Sequence, residues 1–158
     1  MKIRMASSKD ADIIFALIKE LAIYEKAEYE VVTTAAEISD SLFGENSKTS
    51  ALIAEIDNKV VAYAVYFYNY STWLGKNGIY LEDLYVTPEY RKQGVGKSLL
   101  KKIATIAVEE KCGRVEWSVL DWNTPAIEFY EALGAKAQDE WTVYRLSGKK
   151  LLNFALSN

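Results

Sequence analysis

A glycine-bearing turn between an apolar strand-like run and a helix-like run constrains this chain most. Arg91-Lys92-Gln93-Gly94-Val95-Gly96-Lys97-Ser98 follows Ile79 to Val86 and opens a helical pattern from Leu99 to Glu110. Such a turn leaves backbone N–H groups unpaired, and the helix dipole adds partial positive charge there. Together they form a cradle for a phosphate or pyrophosphate. Three phosphate-binding patterns compete for these residues. A P-loop would need glycine at position 91, which is Arg91, and a dinucleotide fingerprint would need glycine at position 99, which is Leu99. What stands is R-x-x-G-x-G after a strand.

The absence of histidine narrows the chemistry further. It excludes Ser–His and Cys–His nucleophilic pairs, histidine-ligated zinc and the commonest general base. Proton transfer falls to Glu, Asp, Tyr, Lys, Cys or water. Cys112 is the only cysteine, so no intrachain disulfide forms, which suits a reducing, cytoplasmic compartment. The net charge of −3 and pI of about 5.2 argue against a general nucleic-acid surface and agree with a cationic small substrate. No apolar run reaches the ~18–20 residues of a membrane span, and the first residues lack a signal-peptide pattern.

The 158 residues are expected to form one domain, 1–158, of α/β (α+β) class. Lys2 to Met5 reads as a strand. Ser7 or Ser8 caps a helix with Ile13, Ile14, Leu17, Ile18, Leu21 and Ala22 on one face. Tyr24 to Val32 reads as loop. Thr34 with Glu37 makes a capping box for a second helix ending near Gly44. Ser50 to Ile56 and Val60 to Tyr70 are strands split by the hairpin signal Asp57-Asn58-Lys59. Ser71 to Asn77 reads as a loop, Val115 to Leu120 as a strand, and Ala126 to Leu133 as a helix entered through Pro125 and stopped by Gly134. Trp141 to Arg145 and Leu151 to Ala155 read as closing strands. The order predicts a mixed sheet with helices on both faces.

Asn123-x-x-Ala126-x-x-Phe129-Tyr130-x-x-x-Gly134-Ala135 is the second informative block. With the glycine loop, it resembles the two acyl-CoA motifs of the GNAT N-acetyltransferase superfamily. Tyr70 to Lys76, Tyr80-Leu81-Glu82-Asp83 and Leu21 to Glu25 resemble its spermidine/spermine (diamine) and thialysine N-acetyltransferase branch. The likeness runs over nearly the whole chain. It implies the GNAT fold, with a twisted mixed central sheet, and acetyl-CoA as co-substrate with no metal. The implied partner is a small amine, without nucleic acid or membrane, and the chain is expected to form a homodimer.

Acyl transfer to an amine faces a protonation problem. A lysine-like amine of pKa near 10.4 is neutral at pH 7 in roughly one molecule in 2,500, a cost of roughly 4.6 kcal/mol. A carboxylate acting directly or through water relays that proton, and Glu82 is the candidate because its strand leads into the glycine loop. The resemblance gives its position a base and substrate-binding role, and gives Tyr130 the role of protonating the departing thiolate. It also implies pantetheine contacts from the backbone of Leu84, Tyr85 and Val86. The pyrophosphate would rest on Arg91, Lys92, Gln93, Gly94, Val95, Gly96, Lys97 and Ser98, with Asn123, Ala126 and Tyr130 completing the cofactor contacts. Tyr24, Glu25, Glu82, Asp83, Glu116, Trp117 and Glu140 are candidate acceptor contacts, since carboxylates and aromatic faces suit ammonium groups. Acceptors of other kinds (a protein or peptide amine, an aminoglycoside) stay open, as does a non-catalytic acyl-CoA-binding module.

Overall fold

Five strands lie side by side in chain order: β1 (Lys2–Met5), β2 (Thr49–Ile56), β3 (Lys59–Ser71), β4 (Lys76–Val86) and β5 (Val115–Trp117). The first four pair antiparallel, and β5 joins β4 in parallel. A parallel neighbour needs a crossover, and helix α3 (Val95–Glu109) supplies it. Helices α1 (Ala11–Tyr24) and α2 (Ala35–Phe43) connect β1 to β2. This computed structural model describes residues 1–157, and the chain divides into two compact units, one over Met1–Ser118 and one from Val119 onward. The first holds the whole sheet. The second carries helices α4 (Thr124–Ala132) and α5 (Gly148–Leu156).

Side-chain alternation separates the two faces of the sheet. Ala51, Ile53, Tyr63, Val65 and Tyr85 form one buried cluster with Ile14 and Leu17 of α1, and Ile38 and Leu42 of α2 pack against it. The alternate residues Leu52, Ala54, Ala62 and Ala64 are also fully buried, so the opposite face is covered too. Helix α3 turns Val95, Leu99, Leu100, Ile103 and Ala107 inward and contacts β2, β3, β4 and β5. Burial on both faces explains why β2 and β3 read as near-continuous apolar runs.

Local signals worked where a specific bond carries them. Thr34 Oγ1 accepts from the Glu37 amide at 3.2 Å, and Glu37 Oε2 accepts from the Thr34 amide at 2.8 Å. Asp57 and Asn58 both adopt positive φ, 51° and 62°, the conformation of a two-residue hairpin turn that matches strand twist.

Four expectations need correction. Trp141 to Arg145 has no ladder partner among the described residues; a turn closes just before it, with the Trp141 amide donating to Gln138 O at 3.1 Å. Leu151 to Ala155 belongs to α5: Ser147 takes the N-cap, and Leu151, Leu152, Ala155 and Leu156 recur at helical spacing. Strand β5 stops at Trp117, because its register with β4 ends at Leu81, beside a bulge. The β3–β4 hairpin zips further than expected, leaving only residues 72–75 as loop.

Candidate active site

Strand β4 carries the irregularity that organises the first unit. Val65 of β3 pairs with Asp83, but Tyr66 pairs with Leu81, so Glu82 is an extra residue with no partner in the register. A bulge of this kind bends the strand and re-aims its side chains. Glu82 is consequently exposed between the buried Leu81 and the half-buried Asp83. The parallel register with β5 runs only from Ile79/Val115 to Leu81/Trp117. From Glu82 through Leu84, Tyr85 and Val86, β4 has no ladder partner on that side among the described residues, while β3 continues to pair with its other edge.

Asp83 shares the α1-facing side of the sheet with Tyr63 and Tyr85. The Tyr63 hydroxyl donates to Asp83 Oδ2 at 2.9 Å, and Tyr63 itself is 0 % exposed. Burial pushes the Asp83 carboxyl up to about 6, against the opposing pull of the Tyr63 hydrogen bond, and the negative charges of Glu82 and Glu25 add to the rise. Burial raises Glu25 as well. Tyr63 is driven far above the phenol range, first by burial and then by the Asp83 charge. Glu25 and Glu82 thus both bring negative charge to bear on Asp83. An arriving ammonium would relieve that repulsion.

The glycine loop runs from a turn at Pro88–Tyr90 into α3. Gly94 is the N-cap with φ +80°, a left-handed conformation that a side chain resists. Lys92 also has positive φ, 60°. The helix starts at Val95, four positions before the expected Leu99, and the first intrahelical bond runs from Ser98 N to Gly94 O at 2.9 Å. The amides of Val95, Gly96 and Lys97 thus precede the helical ladder and suit an anion. A Cβ on Gly96 would meet only Val86 Cγ2 at 3.6 Å, so nothing in the fold requires glycine there. Several cradle side chains have other duties. Val95 is buried in the core, Gln93 Nε2 donates to Glu89 O at 2.9 Å, and Ser98 Oγ donates to Gly94 O at 3.0 Å. The loop offers an anion chiefly its backbone and the exposed Lys92 and Lys97.

In the second unit, Asn123 caps α4 and is only 7 % exposed, with its carbonyl accepting from the Ala126 and Ile127 amides at 3.1 and 3.0 Å. Pro125 occupies the first turn. Tyr130 lies in the last turn, its ring 5.3 Å from that of Phe129. Glu140 is exposed in the segment between α4 and α5.

Glu116 proves to be committed elsewhere in the first unit. Its Oε1 accepts from Arg114 Nε at 2.7 Å and from Asn69 Nδ2 at 3.1 Å, and its neighbour Trp117 is half-buried at the end of β5. Tyr24 ends α1 and Glu25 is its C-cap. Two neighbours of the candidate residues escaped the sequence reading: Tyr63, which donates to Asp83, and Glu20, which accepts from the Tyr85 hydroxyl at 3.1 Å. The Tyr63–Asp83 hydrogen bond depends on a register that the bulge shifts, and no glycine marks that bulge. Among the described residues, no group of three or more His, Cys, Asp or Glu could hold a metal ion. No helix among them is long and apolar enough to cross a membrane.

The acetyltransferase (GNAT) family profile matches residues 15–135. Thialysine N-epsilon-acetyltransferase of Bos taurus is 40% identical to this chain, covering 97% of it and 96% of the relative. An L-ornithine N5-acetyltransferase of Arabidopsis thaliana is 30% identical and covers 95% of this chain and 86% of its own length. Among solved structures, an integron cassette protein from the mobile metagenome of V. cholerae superposes with a TM-score of 0.82 at 27% identity, covering 99% of this chain and 98% of that one.

Proposed function

Since the chain belongs to the GNAT acetyltransferase family and is an N-acetyltransferase, we propose that it moves acetyl from acetyl-CoA directly onto a primary amine in a ternary complex. The acceptor is a small polyamine, diamine or lysine-like molecule. The observation that carries the reading is the 40% identity to a thialysine N-epsilon-acetyltransferase over nearly the full length of both chains. Thialysine and ornithine, the molecules named by two relatives, are both amino acids with a terminal side-chain amine. The convergence of Glu25, Glu82 and Asp83 supports a cationic acceptor of that kind. The family profile crosses the boundary between the two units, which supports one catalytic domain over 1–158.

In this reading the acyl donor supplies a thioester carbonyl, activated for attack by an amine. Backbone amides at the start of α3 hold its pyrophosphate, with Lys92 and Lys97 adding charge. The open edge of β4 at Leu84–Val86 accepts the amide-bearing arm, and an N–H from it polarises the carbonyl. Asn123 and Ala126 contribute further donor contacts. Glu82, exposed on its bulge, takes the acceptor's proton directly or through water. Tyr130 returns a proton to the departing thiolate, a step that lightens a modest burden because a thiol of pKa near ~8.5 leaves tolerably well. No covalent acyl-enzyme is needed. A homodimer in the cytoplasm completes the proposal, supported by the family resemblance and the single cysteine; sedimentation at the 17.8 kDa monomer mass would contradict the dimer.

Glu82→Gln and Tyr130→Phe test the assignment. Both should bind acetyl-CoA within about threefold of the parent while kcat falls, by ~10²–10³ for Glu82→Gln and by about tenfold or more for Tyr130→Phe. Unchanged turnover in either variant would remove that residue from the chemistry.

A further inference from the structure

Helix α1 carries no basic residue in its last turn, although a helix C-terminus attracts a cation. Lys26 follows the C-cap, and a second cation reaches the last residue of α1 from the glycine loop. Arg91 Cζ lies 4.9 Å from the ring centroid of Tyr24, the final residue of α1, and 5.3 Å from that of Tyr85. Arg91 Nε donates to Val86 O at 2.9 Å. Tyr85 is buried, and its hydroxyl donates to Glu20 at 3.1 Å. Glu20 and Tyr24 stand four residues apart, so they share one stripe of α1. One planar guanidinium thus joins the loop, strand β4 and the end of α1.

We propose that Arg91 is a positioning residue that couples the acyl-donor loop to the acceptor end of α1, and is not itself a ligand of the donor's phosphates. The inference rests on reading the loop as the acetyl-CoA cradle and Glu25 as an acceptor contact. Gly94, the N-cap of α3, lies three positions after Arg91, while Tyr24 immediately precedes Glu25. The loop conformation adopted around a bound donor therefore has a short, stiff route to the acceptor carboxylate. Its stiffness comes from planarity. A guanidinium can lie against aromatic rings and direct Nε at a carbonyl at the same time, whereas a lysine ammonium cannot hold both contacts in a fixed geometry.

The test separates two constants. Acetyl-CoA affinity is measured by calorimetry, and the acceptor KM and kcat are measured at saturating acetyl-CoA, for Arg91→Lys, Arg91→Ala and Tyr24→Leu. Coupling predicts that Arg91→Lys raises the acceptor KM roughly tenfold, the scale of one desolvated cation–π contact, with acetyl-CoA affinity within about threefold of the parent. Tyr24→Leu should act in the same direction, and the Arg91→Lys/Tyr24→Leu double variant should be no worse than the more damaging single one. Should Arg91→Ala fail to fold, Arg91→Lys decides, since it keeps the charge. An acceptor KM unmoved in Arg91→Lys, or an acetyl-CoA affinity lost tenfold or more in Arg91→Ala with the acceptor KM intact, overturns the coupling alone. Equal losses in both constants with a lowered Tm also overturn it, as a folding effect. Parent protein that does not bind acetyl-CoA instead overturns the enzymatic reading beneath it.

Discussion

Asp83 carries a charge cost that its surroundings explain. It is half-buried and largely desolvated, the charges of Glu82 and Glu25 act on it, and the Tyr63 hydroxyl donates to it. Its folded pKa, about 6, lies above the ordinary aspartate value of 3.8. The group therefore favours folding most when protonated, and that contribution is lost as pH rises from about 4 through about 6. Asn at this position still accepts from Tyr63 and carries no charge. Asp83→Asn should raise Tm relative to the parent at pH 7.5, on the order of 2–3 kcal/mol of stability, with the advantage shrinking towards pH 4.5. A difference independent of pH would contradict the burial argument. The same variant should bind a cationic acceptor less well, because the charge that costs stability is the charge that attracts an ammonium. Asp10 shows the opposite sign. Arg4 donates to it from both terminal nitrogens at 2.9 Å and holds its carboxyl down to about 2. Its stabilisation is complete above the ordinary aspartate range and is lost as pH falls towards 2.

The glycine loop, with α3, gives a contrast between two neighbouring glycines. Gly94 needs its left-handed backbone to start the helix, whereas Gly96 lies inside the first helical turn with room for a methyl group. Gly94→Ala should cost about 1–2 kcal/mol of stability. Gly96→Ala should leave Tm unchanged or raise it by the equivalent of up to ~1 kcal/mol, since alanine favours a helix, while weakening acetyl-CoA binding by crowding the anion. Equal acetyl-CoA affinity in Gly96→Ala and the parent would show that the anion does not approach there. Legibility followed the same division. The capping box, the Asp57–Asn58 hairpin and the glycine turn into α3 were readable because each depends on residues within a few positions. Leu151 to Ala155 was misread because a short apolar run fits a strand or a helix, and Ser147-Gly148 was the local cue that favoured the helix. The bulge at Glu82 left no mark in the sequence. It arises from pairing between strands, and with it went any view of Tyr63 beneath Asp83.

For the whole molecule, the sheet of the first unit, the family profile over residues 15–135 and relatives matched along nearly their full length agree on one enzyme class. They differ on the acceptor, since the relatives' names already span more than one amine. Within a shared fold the acceptor is set by a few side chains, and here Glu25, Glu82 and Asp83 make the local field negative. In the proposed reading that field favours a cationic acceptor over a neutral one. The measurement that reaches this claim most directly is coenzyme A release from acetyl-CoA by the purified protein. Thialysine, lysine, ornithine, putrescine, spermidine, spermine, a lysine peptide and an aminoglycoside would be compared by kcat/KM. Turnover concentrated on one or more of the small amines, and lost in Glu82→Gln, is the predicted result. Acetyl-CoA binding without turnover on any small amine, or turnover on the peptide or aminoglycoside alone, would contradict it.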